Sequence, residues 1–260
     1  MGMMTQRQLL DAARHCAGRI LDTRYGIDYF DQPYRHLVLD NFLPASLAGD
    51  CLDQFPALDQ PCWEYANDAD IEVKYRTTWT SEFDIPEGIV ECVRILNSSL
   101  ILIAMAERFG IPQIVPDPYF SGGGLNVTMP GGLLDVHVDG NYHDATGLNR
   151  RLNAILYLNP GWQPSWGGEF GIYDPTGRLC LKKVAPLFNR LVIFDSHDYS
   201  FHGLPDPISF PKGESRKSII LYFYTQQPRP GKHIAVAEPH SALWVKRGLL
   251  DKRGNKHRAF

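Results

Sequence analysis

The sequence predicts a mainly β protein, a jelly-roll core flanked by N-terminal α-helices, and three observations carry that prediction. After Pro118 the chain breaks into short strand-like runs, from "LNVTMP" and "DVHVD" through "LNAILYLN", "GEFGIYD" and "RLVIFDS" to "KSIILYFYT". Gly, Pro, Asn and Asp separate them, and closely spaced strands with turn signals suggest a sandwich or barrel. Before Pro118 the apolar residues recur mostly at helical spacing. No internal repeat or low-complexity linker divides the chain, so one domain of 260 residues is the simplest organisation. Residues 1–117 are read as mainly helical support and substrate side, 118–228 as the core and 229–260 as a C-terminal extension.

Taken in order, residues 6–24 read as a helix, because Leu9, Leu10, Ala13, Ala17, Ile20 and Leu21 share a face. "YRHLVLDNFLP" (34–44) looks like a strand running into a turn at Asp40–Asn41. "PASLAGDCLDQFP" is a short amphipathic helix closed by Pro56. Residues 60–85 are polar and aromatic without clear periodicity and are read as a surface loop. Residues 86–110 form the best helix, opening at Pro86 and capped by Gly110.

Composition excludes several classes. A formal net charge of -3 and no basic stripe give no electrostatic case for nucleic acid. Lys and Arg gather only in "VKRGLLDKRGNKHRAF", read as a solvated, frayed terminus. The five cysteines are odd in number and lack CxxC spacing, against a disulfide framework or zinc knuckle and in favour of a reducing cytoplasm. The start of the chain lacks a signal peptide's apolar run. The most apolar stretch, "SLILIAMA", is far short of the ~20 residues a bilayer span needs. The expectation is a soluble, cytoplasmic protein.

Chemistry concentrates in "LLDVHVDGNYH" (133–143). On a strand, side chains two apart leave the same face, so His137 and Asp139 can grip one object. A third ligand is available in "DSHDYSFHGLPD" as His197 or His202. His202 is the better placed, since a strand restarts at it. Two neutral imidazoles and one carboxylate suit Fe(II) with positions left open. Arg216 then opens an otherwise apolar strand, "RKSIILYFYT", with Ser218 on the same face. A buried arginine needs an anionic partner, and an arginine with a hydroxyl can hold the far carboxylate of a keto acid.

"HVD", about sixty residues, "FHGL" and then "RKS", together with "ILYLNPGWQPSWGGEFGIYD", resemble the 2-oxoglutarate- and Fe(II)-dependent oxygenases, in their prolyl-hydroxylase-like branch. The resemblance covers residues 120–226. It implies a double-stranded β-helix fold, Fe(II), 2-oxoglutarate and O2 as cofactors, and His137, Asp139 and His202 as iron ligands. It implies Arg216 as the clamp on the oxoglutarate 5-carboxylate, with Tyr157 and Ser218 adding hydrogen bonds. Where the branch often has a tyrosine before His-x-Asp, this chain has Met129, with Asn126 and Thr128 beside it. Asn126 is a candidate co-substrate contact. Among relatives, the wording around "HVDGNYHDATGLNRR" looks most like the orthosomycin group, which closes orthoesters in oligosaccharide antibiotics.

A small-molecule substrate, a saccharide, is therefore expected, oxidised by ring closure or hydroxylation. Its candidate contacts are His143, Arg76, Trp79 and Glu169, with Trp79 as a stacking platform in "VKYRTTWTSEF". His143 reads first as a loop residue, Glu169 equally as a turn carboxylate, and Trp162 and Trp166 as packing or as a ligand platform. Other readings are a prolyl or amino-acid hydroxylase, a non-catalytic sugar-binding jelly roll, and a zinc hydrolase. Arg216 argues against the last two.

Overall fold

Between Asn149 and Tyr157 the chain reads "NRRLNAILY", and the period of two sorts these side chains onto opposite faces of a strand. Leu152, Ala154 and Leu156 join a cluster that includes the helices. Ile155 and Tyr157 join a second cluster with Phe170, Ile172 and Phe194. Both faces are covered, which is why the run is nearly continuous in apolar residues. The computed structural model describes residues 4–249, and all statements of structure refer to them.

Four helices precede most of the sheet: α1 (Gln6–Leu21), α2 (Ala45–Asp53), α3 (Glu87–Leu96) and α4 (Ser99–Phe109). The strands are β1 (Tyr29–Phe30), β2 (His36–Leu39), β3 (Trp63–Asp68), β4 (Glu72–Thr77), β5 (Val115–Pro116), β6 (Gly124–Thr128) and β7 (Leu133–Val138). They continue as β8 (Asn149–Tyr157), β9 (Phe170–Tyr173), β10 (Cys180–Val184), β11 (Arg190–Asp195), β12 (His202–Leu204), β13 (Arg216–Thr225) and β14 (Leu243–Trp244).

Hydrogen bonding runs β1-β2-β11-β8-β13-β6-β4-β7-β12-β9-β10, with β3, β5 and β14 attached at the side. The helices cover β2, β11, β8 and β13 on one face. On the other face, Phe170 and Ile172 of β9 meet Ile155 and Tyr157 of β8. The sheet therefore curls until its two ends face each other, the double-stranded β-helix that the sequence predicts. Strand β12 lies directly against β7, with His202 opposite His137. That approach needs Gly203, where a Cβ would sit 2.8 Å from the Asp135 carbonyl oxygen.

Two expectations are corrected. Residues 60–85 are not a loop: β3 and β4 form a hairpin, with Glu64 opposite Arg76 and Tyr65 opposite Tyr75. β3 is an edge strand with no fully buried position, so it shows no alternation to read. Cross-strand pairs hold it instead, namely the stacked Tyr65 and Tyr75 rings at 4.5 Å and the Glu64–Arg76 ion pair. Residues 86–110 are not one helix either. Asn97 caps α3 and Ser98 starts α4, with a bend of 46° between them. The missed signal is "NSS", because Asn and Ser compete with the helical backbone and favour its ends. Gly110 does close α4, at φ +59°. No single described helix is long and apolar enough to cross a membrane. Most of the basic C-terminal run lies outside the described residues.

Candidate active site

His137 stands near the end of β7 and Asp139 one residue beyond it, while β12 delivers His202 from across the pairing. The Nε2 of His202 lies 3.4 Å from Asp139 Oδ2, and that of His137 lies 3.7 Å from Oδ1. One ligand atom from each of the three falls within 4.8 Å of the others, an arrangement that can hold a metal ion. His197, the competing sequence candidate, lies elsewhere.

The imidazoles are oriented from behind. His137 Nδ1 bonds the Asp135 carbonyl at 2.8 Å, and His202 Nδ1 bonds the Ser200 carbonyl at 2.9 Å. A carbonyl only accepts, so each Nδ1 carries the proton and each Nε2 lone pair faces the shared centre. Aromatic rings fix the ring planes: Trp244 stacks on His137 at 4.5 Å, and Phe194 packs edge-on against His202 at 4.8 Å. Burial, reinforced by His137, lowers the His202 pKa to about 4, so the ring is neutral and able to ligate near pH 7. Burial alone would raise the Asp139 carboxyl. The neighbouring His202, His137 and Arg150 outweigh it and hold the group well below the usual carboxylate range. Asn153 also donates to Asp139 Oδ2, and Arg150 lies 3.6 Å from Oδ1.

The opposite end of the cavity is built from three adjacent strands. Ser218 of β13 is registered against Tyr157 of β8 on one side and Asn126 of β6 on the other. Arg216, 6% exposed, donates from Nε to the Gly168 carbonyl at 2.7 Å and from Nη2 to the Tyr157 hydroxyl at 3.3 Å. Among the described residues no carboxylate pairs with it. Asn126 Nδ2 and Ser218 Oγ are buried without a hydrogen-bond partner. Burial and Arg216 pull the Tyr157 phenol in opposite directions, burial prevailing, so it stays protonated as a donor. A guanidinium, a phenol, a hydroxyl and an amide thus share one buried row in want of an anion, which fits the far carboxylate of a keto acid.

His137, Asp139, His202, Asn126 and Arg216 line one cavity of about 610 Å³, as do Arg76, His143 and Arg150. The substrate candidates divide. Arg76 faces the cavity while ion-paired with Glu64. His143 also reaches it, but Nδ1 accepts from the Ala145 and Thr146 amides and Nε2 faces Asp117 Oδ1 at 2.9 Å. Both ring nitrogens are thus engaged, one by its own loop and the other by Asp117 between β5 and β6. Trp79 is not at the site. It is 5% exposed and packs edge-on against Phe120 in the helical core. Glu169 is likewise outside, in a separate groove beside Trp166 and Lys183.

Three residues of the site escaped the sequence reading. Asn153 was findable, since it shares the inward parity of Tyr157 and Ile155 on β8. Arg150 announced itself only as half of an Arg-Arg doublet. Trp244 gave no signal, because nothing in "HSALWVK" predicts that it folds back onto β7.

Residues 123–224 match the family model described as the 2OG-Fe(II) oxygenase superfamily. Fe(II), 2-oxoglutarate and O2 are the superfamily's cofactors. The chain is similar to the prolyl 3-hydroxylase OGFOD1 of Mus musculus, 36% identical over 86 residues, which are 32% of this chain and 15% of that protein. The Xenopus laevis protein of the same name is 34% identical over 106 residues, 38% of this chain and 20% of its own. The chain thus spans a fifth or less of those relatives. The fold of the chain is similar to that of a Trichoplax adhaerens prolyl hydroxylase solved with a hypoxia-inducible-factor peptide. There the TM-score is 0.61, with 20% identity, 85% of this chain and 94% of that chain covered. A Pseudomonas putida prolyl-4-hydroxylase gives 0.54 at 19% identity, over 82% and 100% of the two chains.

Proposed function

We propose that the chain is an Fe(II)- and 2-oxoglutarate-dependent dioxygenase that hydroxylates an unactivated C–H bond of a prolyl residue. In this reading His137, Asp139 and His202 hold the iron, and Arg216 holds the 5-carboxylate of 2-oxoglutarate with help from Tyr157, Ser218 and Asn126. The observation that carries it is the buried Arg216 without a carboxylate, facing the same cavity as a neutral-imidazole and carboxylate cluster. A zinc hydrolase has no use for that guanidinium. Prolyl is preferred as substrate because the relatives matched over about a third of the chain are named prolyl 3-hydroxylases. The saccharide reading loses the indole platform it relied on, since Trp79 is in the core.

With its cofactors bound, such a site couples oxidative decarboxylation of the keto acid to oxidation of a C–H bond. The protein's own residues position and shield. Arg216 supplies a charge-assisted anchor that fixes the far end of the co-substrate, and the Tyr157 hydroxyl sets its orientation. Asn153 and Arg150 restrain Asp139, while Trp244 and Phe194 wall the imidazoles from solvent.

The test is to incubate purified chain with Fe(II), 2-oxoglutarate and ascorbate, then a panel of proline-containing peptides and, separately, oligosaccharides. Succinate formation and one added oxygen on a peptide support the proposal. Succinate formation only with a saccharide moves the substrate. No turnover of 2-oxoglutarate under any condition removes the catalytic reading.

A further inference from the structure

Arg150 and Arg151 are neighbours on β8, where the pairing with β13 shifts register between Phe223 and Tyr224, so that the inward parity of Asn153, Ile155 and Tyr157 is reversed at this pair. Arg150 faces the metal cavity. Arg151 enters a second cavity of about 720 Å³, which shares no lining residue with the first. That cavity lies against the turn after β11, and His197 is part of its wall. His197 thus takes its place here rather than at the metal.

The charges of this cavity are unbalanced at its buried end. Asp195 is a single carboxylate set between two guanidiniums. Arg35 donates to its Oδ2 from Nε at 3.1 Å and also from Nη2, and further donates to the Phe109 carbonyl. Arg151 is 5% exposed, and its guanidinium forms no hydrogen bond among the described residues, although its backbone carbonyl accepts from the Ser196 amide. Its Nε is 3.9 Å from Asp195 Oδ1, an ion-pair distance beyond hydrogen bonding, and Nε is buried without a partner. Lys232 stands at the rim, so three cations face the two carboxylates of Asp31 and Asp195. A buried guanidinium left without hydrogen bonds is costly.

The rest of the wall suits a small organic anion. His197 and His233 stack at 4.3 Å with their planes 23° apart, giving a flat face. His197 Nδ1 accepts from the Tyr199 amide, which leaves the proton of the neutral ring on Nε2 as a donor. His233 Nδ1 is buried and unpartnered. Five prolines, 33, 112, 175, 228 and 230, set the remainder of the lining in restricted backbone.

We propose that this second cavity is a binding site for a small oxyanion, a carboxylate or phosphate, whose charged group is held by Arg151 with Lys232 and whose body lies along the His197–His233 stack.

The site is tested by titrating inorganic phosphate, acetate and benzoate into the full chain at low ionic strength while following backbone amide resonances. Shifts at Arg151, Asp195 and His233 are expected, with benzoate binding more tightly than acetate if the stack is used. Phosphate outcompeting both carboxylates would assign the natural ligand to the phosphates, and the reverse to the carboxylates. Arg151→Met is expected to weaken binding by at least about tenfold, the loss of a charge-assisted contact. Because that variant leaves Asp195 with one partner fewer, Lys232→Ser, at an exposed position, serves as the second variant, with an expected weakening of about threefold. The proposal falls if no probe shifts these amides in the millimolar range, if shifts appear only around Arg216, or if neither substitution changes the affinity.

Discussion

The two ends of the metal cavity are both buried, yet they meet the cost of burying polar groups differently. At the metal end Asp139 already has partners: His137, His202, Arg150 and Asn153 all lie within 4 Å of its oxygens. At the other end, among the described residues, Arg216 has no carboxylate, and Asn126 Nδ2 and Ser218 Oγ have no hydrogen-bond partner. The first end is assembled by the protein; the second is completed by what binds there. Orphaned buried groups cost about 1–3 kcal/mol each, and a ligand that satisfies them recovers that cost as affinity. Pre-assembly at one end and incompleteness at the other separates the two binding events, so substitutions should affect one without the other.

The largest effect is expected at the metal end. His202→Ala removes one of the three proposed ligands, and 2-oxoglutarate decarboxylation should be abolished, followed as succinate release. Full retained turnover would require a different third ligand. Next is Arg216→Ala, which should weaken 2-oxoglutarate by roughly 2–5 kcal/mol, the range for truncating one partner of a buried charge pair. Mn(II) affinity, measured calorimetrically without the keto acid, should hardly change. If both affinities fell together, the two ends would form one cooperative unit and the contrast drawn here would be wrong.

How legible this was depended on whether a residue's job showed in local pattern. His137 and Asp139 were visible because strand parity puts them on one face, and Arg216 because a cation opening an apolar strand is locally anomalous. The jelly roll was visible because β8, β11 and β13 are covered on both faces and read as apolar runs. The β3–β4 hairpin was not, since exposed cross-strand pairs leave no periodicity. Trp79 misled for a related reason: polar neighbours made it look exposed, while Gly124 lets it pack close, its ring carbons 3.2–3.5 Å from where a Cβ would stand. Arg150 and Trp244 depend on contacts between distant segments, which no local pattern encodes.

A smaller, indirect effect is expected from Gly168→Ala. Gly168 has φ +81°, and a Cβ there would lie 3.0 Å from Arg216 Cδ and 3.3 Å from an Ile208 methyl. Left-handed strain of about 1–3 kcal/mol and displacement of the guanidinium should reduce 2-oxoglutarate affinity less than Arg216→Ala does. Metal affinity should again be spared.

The smallest effect probes the metal end from outside. Trp244 comes from β14, far along the chain, yet its ring lies flat against His137 at 4.5 Å and 26°. Removing it leaves all three proposed ligands in place and takes away only the surface that sets one imidazole plane. An aromatic pair contributes about 0.5–1.5 kcal/mol beyond its area, so Trp244→Leu should weaken Mn(II) binding by no more than that. Co-substrate affinity at saturating metal should be unchanged, because nothing in the Asn126–Ser218–Tyr157 row rests on β14. A loss confined to 2-oxoglutarate would reverse the assignment and make the C-terminal segment a wall of the keto-acid end. A loss confined to the metal would show that the pre-assembled end is held partly by a segment outside the 123–224 match.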